Sequence, residues 1–433
     1  MSLRRHPTLV LALVLALGSS ALADKLSSAE WKQIETDLDA ALQKGDREAL
    51  GDALARATKD QSVRALHLVE KAAQASDAAV TACSKAAAAL DDKGVRKELR
   101  KDVLNPKSHP RVRAALVAAL SAKDAEDEPV LLKLAQETSE DVAIPAIRAI
   151  ASAKLESAIE PFIAAMEKQD AARGPVWEEL RYALADLLGK KLGSGAEYRS
   201  RWAALKAKGG TKAIGTPDDP APKAEPPKAG APHTVEIFGQ EVACTRVVFI
   251  LDVSGSMTEV DDPNLELPAE TKSKPQKAGD VDPRSRIERA KRELKKVLKG
   301  LPKTAKVNLI AFSTSVRLWR GGNPPVLHAL DDATREDAMK FVDTFTAEGT
   351  TATDDALTRA FEIEGTRCFY LLSDGEPTKD GTNRIPTEVI LKIIEDHNST
   401  KHVRIHTLGF KTADVEFMKQ VAGATGGEYS DIK

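Results

Sequence analysis

Three short segments of this sequence carry side chains whose types and spacing suit a metal site. They are Asp252-Val253-Ser254-Gly255-Ser256, Gly349-Thr350-Thr351 and Ser373-Asp374-Gly375-Glu376. Each segment supplies carboxylates or hydroxyls, and all of these groups are hard oxygen donors. Hard oxygen suits Mg²⁺, Ca²⁺ or Mn²⁺ better than it suits zinc or copper. We therefore expect a divalent cation site if the fold brings the three segments together.

The chain around these segments alternates between strand and helix patterns. The run 246–251 is typical of a strand buried on both faces. Further strands are predicted at 307–312, 315–319, 367–372, 403–410 and 427–430, and helices at 287–298, 332–345, 354–363, 385–396 and 413–424. This alternation predicts a doubly wound, mostly parallel α/β sheet with helices on both faces. Ligands of such sheets bind outside the carboxyl ends of the strands, where the first and third segments lie.

The three segments together resemble the metal-ion-dependent adhesion site of the von Willebrand factor A (VWA) family. The resemblance rests on the D-x-S-x-S run at 252–256, the later threonine and the S-D-G at 373–375. It extends from about residue 238 to the C-terminus and includes the strand and helix order and the segments 286–291 and 405–409. It implies a Rossmann-like VWA fold, a bound Mg²⁺ (or Ca²⁺ or Mn²⁺), and a partner protein that offers an exposed Asp or Glu.

The resemblance also implies a role for each site residue. The hydroxyls of Ser254 and Ser256 would bind the cation directly. The carboxylates of Asp252 and Asp374 would act mostly through water, and a loop threonine would bind either directly or through water. In loops of this family, five residues follow the threonine ligand, and the next residue, on the helix, is aliphatic. Leu357 takes that place if Thr351 is the ligand, so Thr351 is favoured over Thr350.

The loop 258–283 departs from the family pattern because it is long and contains Asp261, Asp262 and several prolines. It would either overhang the metal and restrict partners or form a disordered excursion. Its two carboxylates lie few positions from Ser256, so self-ligation of the metal is a second hypothesis. The open site, in which a solvent-facing position takes the partner's carboxylate, is the favoured one.

The stretch 24–208 has a helical pattern throughout. Apolar residues recur at three- and four-residue spacing, as at Val112, Ala115, Leu116, Ala119 and Leu120. Segments beginning at His109, Ser139 and Gly174 resemble one another at a step of about 30 residues, shorter than the usual HEAT period. We predict a HEAT-like α-solenoid, with an irregular bundle as the alternative. Residues 209–237, rich in Pro, Ala and Lys, predict an extended linker before an α/β domain at 238–433.

Residues 1–23 have the pattern of an export signal. Arg4 and Arg5 precede the apolar stretch 9–17, and Ala21-Leu22-Ala23 fits the cleavage pattern, so the mature chain would begin at Asp24. The apolar stretch is shorter than the roughly 20 residues that span a bilayer. We therefore expect an exported protein, whether periplasmic, at the cell surface or secreted, with no membrane span.

Charge and cysteine content narrow the function classes. The 433 residues include 63 Lys and Arg against 65 Asp and Glu, and this balance argues against nucleic acid as a partner. The three cysteines, Cys83, Cys244 and Cys368, fit no disulfide framework or zinc spacing. We expect buried free thiols, with a Cys244–Cys368 bridge as the alternative, because both lie near the starts of two strands expected to be neighbours.

Three functions remain open from the sequence. The favoured one is an exported binding or adhesion protein whose metal recognises an acidic group on a partner. The second is a scaffold in which the helical repeats are the main recognition surface and the metal is structural. The third, a metal-assisted hydrolase, is least favoured, because Ser254 stands where a haloacid-type phosphatase needs a second carboxylate. The sequence also has no G-x-S-x-G elbow and no nucleotide-binding glycine loop after the first strand.

Overall fold

The structure, a computed structural model, has a helical region followed by an α/β region, each with its own hydrophobic core. It describes residues 25–76, 79–171, 173–220, 235–267, 281–398 and 401–433. The predicted signal peptide 1–23 and the middle of the predicted linker lie outside these residues. Within the described ranges, no helix has the length and apolar character needed to cross a bilayer.

Short polar breaks in the sequence set the starts of the helices. The side chains of Ser27, Asp46, Ser62 and Asp92 each accept a hydrogen bond from a first-turn amide of the helix that follows. The helices of this region are α1 Ser28–Lys44, α2 Arg47–Thr58, α3 Val63–Ala75, α4 Val80–Ala88, α5 Lys93–Leu104, α6 Pro110–Val117, α7 Glu128–Leu134, α8 Glu140–Ser152, α9 Ile159–Gln169, α10 Pro175–Leu188 and α11 Gly195–Lys206.

The helices stack in two layers. Helix α2 packs against α4, α4 against α6, α6 against α8 and α8 against α10, while α1, α3, α5 and α7 contact one another in the same stepwise way. Layered helix pairs of this kind characterise α-solenoids. The three similar sequence segments lie at α6, α8 and α10, in one layer. The predicted helical fold of this region is confirmed, and its assignment to HEAT repeats stays a prediction.

The α/β region is built on one mostly parallel sheet. The strands of this region are β1 Glu236–Ile237, β2 Gln240–Glu241, β3 Arg246–Asp252, β4 Lys306–Phe312, β5 Val316–Leu318, β6 His328–Ala329, β7 Cys368–Ser373, β8 Arg404–Gly409 and β9 Tyr429–Asp431. The strand order in the sheet is β5-β4-β3-β7-β8-β9. Strands β3, β4, β7, β8 and β9 run parallel, whereas β5 and the short β6 pair with β4 in the antiparallel sense. A hairpin of β1 and β2 precedes the sheet.

Helices cover both faces of this sheet, as predicted. These helices are α12 Arg286–Gly300, α13 Asp332–Asp343, α14 Thr353–Glu362, α15 Thr387–Asn398 and α16 Val415–Gly423. One core packs α12 and α13 against the sheet, and a second core packs α14, α15 and α16 against the opposite face. Since β3 has β4 on one side and β7 on the other, the topological switch point lies between β3 and β7. Residues at the carboxyl ends of these two strands therefore lie together.

The predicted linker differs from the structure at both ends. Residues 210–213 form a 3₁₀ turn, and Arg201 of α11 donates to the carbonyl of Pro220 at 2.9 Å and pairs with Asp219 at 3.0 Å. At the other end, Glu236 and Ile237 already form β1. The segment 209–220 thus packs on the helical region, because a buried arginine finds its hydrogen-bond acceptors there.

The helical region docks on the edge formed by the amino ends of the strands. Glu140, at the start of α8, pairs with Arg246 at the start of β3 and with Arg367 just before β7. Glu179 of α10 pairs with Arg404 at the start of β8, at 2.5 Å. The carboxyl ends of the strands lie at the opposite edge of the sheet.

Candidate metal centre

The ends of β3 and β7 bring the predicted carboxylates and serine hydroxyls together. Ser254 Oγ lies 3.1 Å from Ser256 Oγ, and Ser256 Oγ donates to Asp374 Oδ1 at 2.8 Å. Asp252 is fully buried behind them, where its carboxylate accepts from the Ser254 amide at 2.8 Å and from Ser373 Oγ at 2.6 Å. Four of the five predicted site residues therefore form one hydrogen-bonded cluster.

The fifth predicted residue, Thr351, lies beside this cluster. A Cβ placed on Gly375, which follows Asp374, would lie 3.4 Å from Thr351 Oγ1. Thr350 points elsewhere, because its hydroxyl lies 3.3 Å from Thr314 Oγ1 and its amide donates to the same atom at 3.0 Å. The geometry is that expected if Thr351 is the ligand, and the choice between the two threonines stays a prediction.

Backbone hydrogen bonds hold the threonine loop against the loop that follows β3. The Gly255 amide donates to the Gly349 carbonyl at 3.1 Å, and the Glu348 amide donates to Val253 at 2.9 Å. Gly349 has a φ of +81°, and a Cβ there would lie 2.4 Å from Thr314 Oγ1. Only glycine fits this position without strain, so the glycine of the G-T-T segment sets the approach of the two loops.

Arg286 is a further residue of the site, although the sequence pattern places it only at the start of a helix. It is 2 % exposed, and its guanidinium donates to Asp374 Oδ2 at 2.7 Å and to Asp261 Oδ1 at 2.6 Å. Asp261 also pairs with Arg289 at 3.5 Å, and Asp262 accepts from the amide of Asn264. Both loop carboxylates named in the self-ligation hypothesis thus have other partners. Residues 268–280 of that loop lie outside the described part.

Burial of two carboxyl groups in this cluster makes their ionised forms costly without a cation. Loss of hydration, together with the nearby Asp374 carboxylate, raises the pKa of Asp252 to about 7. Burial also raises the pKa of Asp374, although Arg286 and Ser256 oppose this rise. A divalent cation would favour the ionised form of both carboxyls. The donor set therefore fits a hard divalent cation, both in its oxygen chemistry and in the sign of its charge.

Comparisons with known proteins agree with the fold of this region. The family model described as the von Willebrand factor type A domain matches residues 278–431. The human von Willebrand factor A domain-containing protein 3A is 30 % identical over 125 residues, which are 28 % of this chain and 10 % of that protein. This chain thus matches only about a tenth of the length of that relative. Residues 278–431 thus match the von Willebrand factor type A (VWA) domain, and the α/β fold of this region agrees with that match.

Two solved structures share low similarity with the chain. A von Willebrand factor type A protein from Catenulispora acidiphila is 20 % identical, with a TM-score of 0.34, over 43 % of this chain and 38 % of that one. Proximal thread matrix protein 1 from the mussel byssus is 17 % identical, with a TM-score of 0.30, over 43 % of this chain and 41 % of that one.

Proposed function

We propose that the VWA domain holds a divalent cation at the carboxyl edge of its sheet and through it binds an acidic group on a partner protein. The observation that carries the proposal is the convergence of Ser254, Ser256 and Asp374 within hydrogen-bond distance, with Asp252 buried behind them. These side chains come from the ends of two different strands. Oxygen donors that converge in this way suit Mg²⁺, and Ca²⁺ or Mn²⁺ as alternatives.

The residues divide into direct donors and supporting carboxylates. Ser254, Ser256 and Thr351 would offer neutral hydroxyls, while Asp252 and Asp374 orient them and any bound water. When bound, the cation supplies a coordination position that a partner's carboxylate can take. Because the direct donors are neutral, they leave that position attractive to a negative group. Arg286 holds one oxygen of Asp374, so this carboxylate is fixed in place before a partner arrives.

The position of the site in the fold supports recognition of a partner. The helical region packs against the amino ends of the strands, at the edge opposite the site. At the carboxyl edge, Ser256 and Gly375 are half-buried and Glu376 is exposed. The site therefore reaches the surface at Ser256 and Gly375, on the edge away from the helical region.

The cluster would serve as a binding site and not as an active site. The side chains that converge are hydroxyls and carboxylates of metal-ligand type, and Ser254 takes the place of the second carboxylate of haloacid-type phosphatases. Export after cleavage at Ala23 belongs to the same proposal, since an adhesion protein meets its partners outside the cytoplasm. N-terminal sequencing of the mature protein tests the export step, and a start upstream of Asp24 would contradict it.

Capture of an immobilised acidic peptide tests the binding step. We expect the full chain to bind a glutamate-containing peptide in Mg²⁺, to lose this binding in EDTA, and not to bind the matched glutamine peptide. Thr351→Ala should abolish capture, whereas Thr350→Ala is the matched control and should retain it. Equal capture in Mg²⁺ and EDTA, or on both peptides, would show that recognition is not metal-dependent.

A further inference from the structure

Two of the three cysteines meet a glutamate of the helical region at the amino edge of the sheet. All three cysteines are free and buried, as the sequence predicts. The sulfurs of Cys244 and Cys368 and a carboxylate oxygen of Glu178 all lie within 4.8 Å of one another. Glu178 is on α10, Cys244 precedes β3, and Cys368 is the first residue of β7. The group thus joins the two regions of the chain.

We propose that Glu178, Cys244 and Cys368 form a second metal site, for a thiolate-preferring divalent cation of the zinc class. Zinc takes sulfur and carboxylate ligands together, usually four in all. Thiolate sulfur does not suit Mg²⁺ or Ca²⁺, so this site and the oxygen site at the opposite edge select different ions. Bound there, the cation cross-links α10 to the sheet.

The surroundings of the cluster provide space for a fourth ligand. A cavity of about 10 Å³ lies beside the cluster, lined in part by Glu178, Cys368 and Tyr182. This volume approaches that of a single water, which supplies the fourth ligand. Glu178 and Cys368 line this cavity, so a water there lies next to two of the three ligands.

The net charge of the bound state is small. Each thiol releases its proton to solvent as it becomes a ligand. Two thiolates and one carboxylate around a divalent cation then leave a single negative charge. Arg246 lies beside the cluster, where Cys244 Sγ is 3.4 Å from its carbonyl oxygen. Its buried Nε atom has no hydrogen-bond partner among the described residues. The guanidinium, which also pairs with Glu140, lies close enough to Glu178 to favour the ionised carboxylate, and so it offsets part of that charge.

Titration of the reduced full chain with Co²⁺, a spectroscopic substitute for zinc, tests the proposal. We expect thiolate-to-cobalt charge-transfer absorption that saturates at about one equivalent. Cys244→Ser and Cys368→Ser should each remove the absorption, and Glu178→Gln should weaken binding by at least about tenfold. Cys83→Ser is the matched control, because Cys83 is buried within α4, and it should leave the titration unchanged.

The same titration separates this site from the site of the proposed function. Asp252→Ala should leave the absorption unchanged, since its carboxylate lies at the opposite edge. No absorption from the wild type at saturating Co²⁺, or absorption that survives Cys244→Ser, would overturn the proposal. So would recovery of Cys244 and Cys368 peptides joined by a disulfide from protein isolated without reductant. If a serine variant does not fold, Glu178→Gln decides: weaker binding supports the site, and unchanged affinity overturns it.

Discussion

The two edges of the VWA sheet solve the problem of buried charge in different ways. At the amino edge, Arg246 and Arg404 begin β3 and β8, and the helical region supplies the glutamates Glu140 and Glu179 that pair with them. At the carboxyl edge, Asp252 and Asp374 are buried together. Within the described part of the chain, a single arginine side chain contacts either of these carboxylates. One edge is therefore closed by charges from within the chain, and the other keeps an excess of oxygen acceptors.

This difference suits the two edges to two tasks: the amino edge holds the helical region, and the carboxyl edge would receive the proposed partner. Buried charges need partners, and those of the amino edge find them in the helical region. At the carboxyl edge, the described part of the chain balances only part of the negative charge, so this edge can attract a cation from solution. Changes at the amino edge should therefore alter stability, and changes at the carboxyl edge should alter binding.

The largest expected effect is at the amino edge, with Glu179→Gln. The Glu179 carboxylate accepts from Arg148 at 2.9 Å and from Arg404 at 2.5 Å, and these arginines hold its pKa at about 2 despite its burial. Removing the charge leaves two guanidiniums without a counter-charge and should lower the free energy of unfolding by about 3–5 kcal/mol. Denaturant unfolding measures it. The control, Glu395→Gln, breaks the exposed pair with Lys85 and should cost less than about 1 kcal/mol.

The second effect concerns pH at the same edge. His406 is fully buried, and loss of hydration lowers its pKa to about 3, so it stays neutral in the fold. In the unfolded chain the ring becomes protonated near pH 6.5, whereas in the fold it stays neutral. The contribution of His406 to the free energy of unfolding is therefore fully present above pH 6.5 and is lost as pH falls toward 3. The free energy of unfolding of the wild type, relative to that of His406→Gln, should therefore fall by about 2 kcal/mol between pH 7.5 and 5. A constant difference between the two proteins would contradict the burial of a neutral ring.

A third prediction compares two glycine-to-alanine variants, one of which is at the carboxyl edge. The pair separates the effect of backbone strain from the effect of a steric contact. Gly349→Ala places a Cβ 2.4 Å from Thr314 Oγ1, whereas Gly365→Ala, at a similar positive φ, meets no atom within 4 Å. Both variants should lose about 1–2 kcal/mol of stability from the backbone conformation. Gly349→Ala alone should also weaken Mg²⁺ binding, because the threonine loop must shift. Calorimetry of both variants checks this, and equal Mg²⁺ affinities would show that the loop position does not matter.

The smallest expected effect tests the self-ligation hypothesis. Asp261 is held by Arg286 and Arg289, so Asp261→Asn should change the Mg²⁺ affinity by less than about tenfold, below the range of a lost ligand. A larger loss in a calorimetric titration would mean that this loop carboxylate reaches the cation. The edge would then be closed by the chain itself, and the contrast between the two edges would fail.

The sequence predicted the sheet and the site cluster because both follow from local patterns. The buried run of β3 and the polar residues after it are contiguous, so their place at the carboxyl edge could be deduced. The two-residue strands β1, β2 and β6 are too short to show a periodicity. Their existence depends on pairing with partners that only the folded chain brings near.

Contacts between distant segments could not be predicted in the same way. Arg286 is read from the sequence as the start of a helix, and its contact with Asp374 depends on how α12 packs beside β3. Glu178 joins Cys244 and Cys368 only because the helical region docks on the amino edge. The cysteine spacing alone therefore gave no sign of a metal-binding group.

The central claim is that the carboxyl edge binds a divalent cation through serine hydroxyls. Calorimetric titration of the EDTA-treated full chain with Mg²⁺, for the wild type and for the Ser254→Ala, Ser256→Ala double variant, tests it most directly. We predict about one Mg²⁺ per chain for the wild type, and an affinity at least about tenfold lower for the double variant with its unfolding free energy preserved. Equal Mg²⁺ affinity of the two proteins, or no binding by the wild type, would contradict the claim.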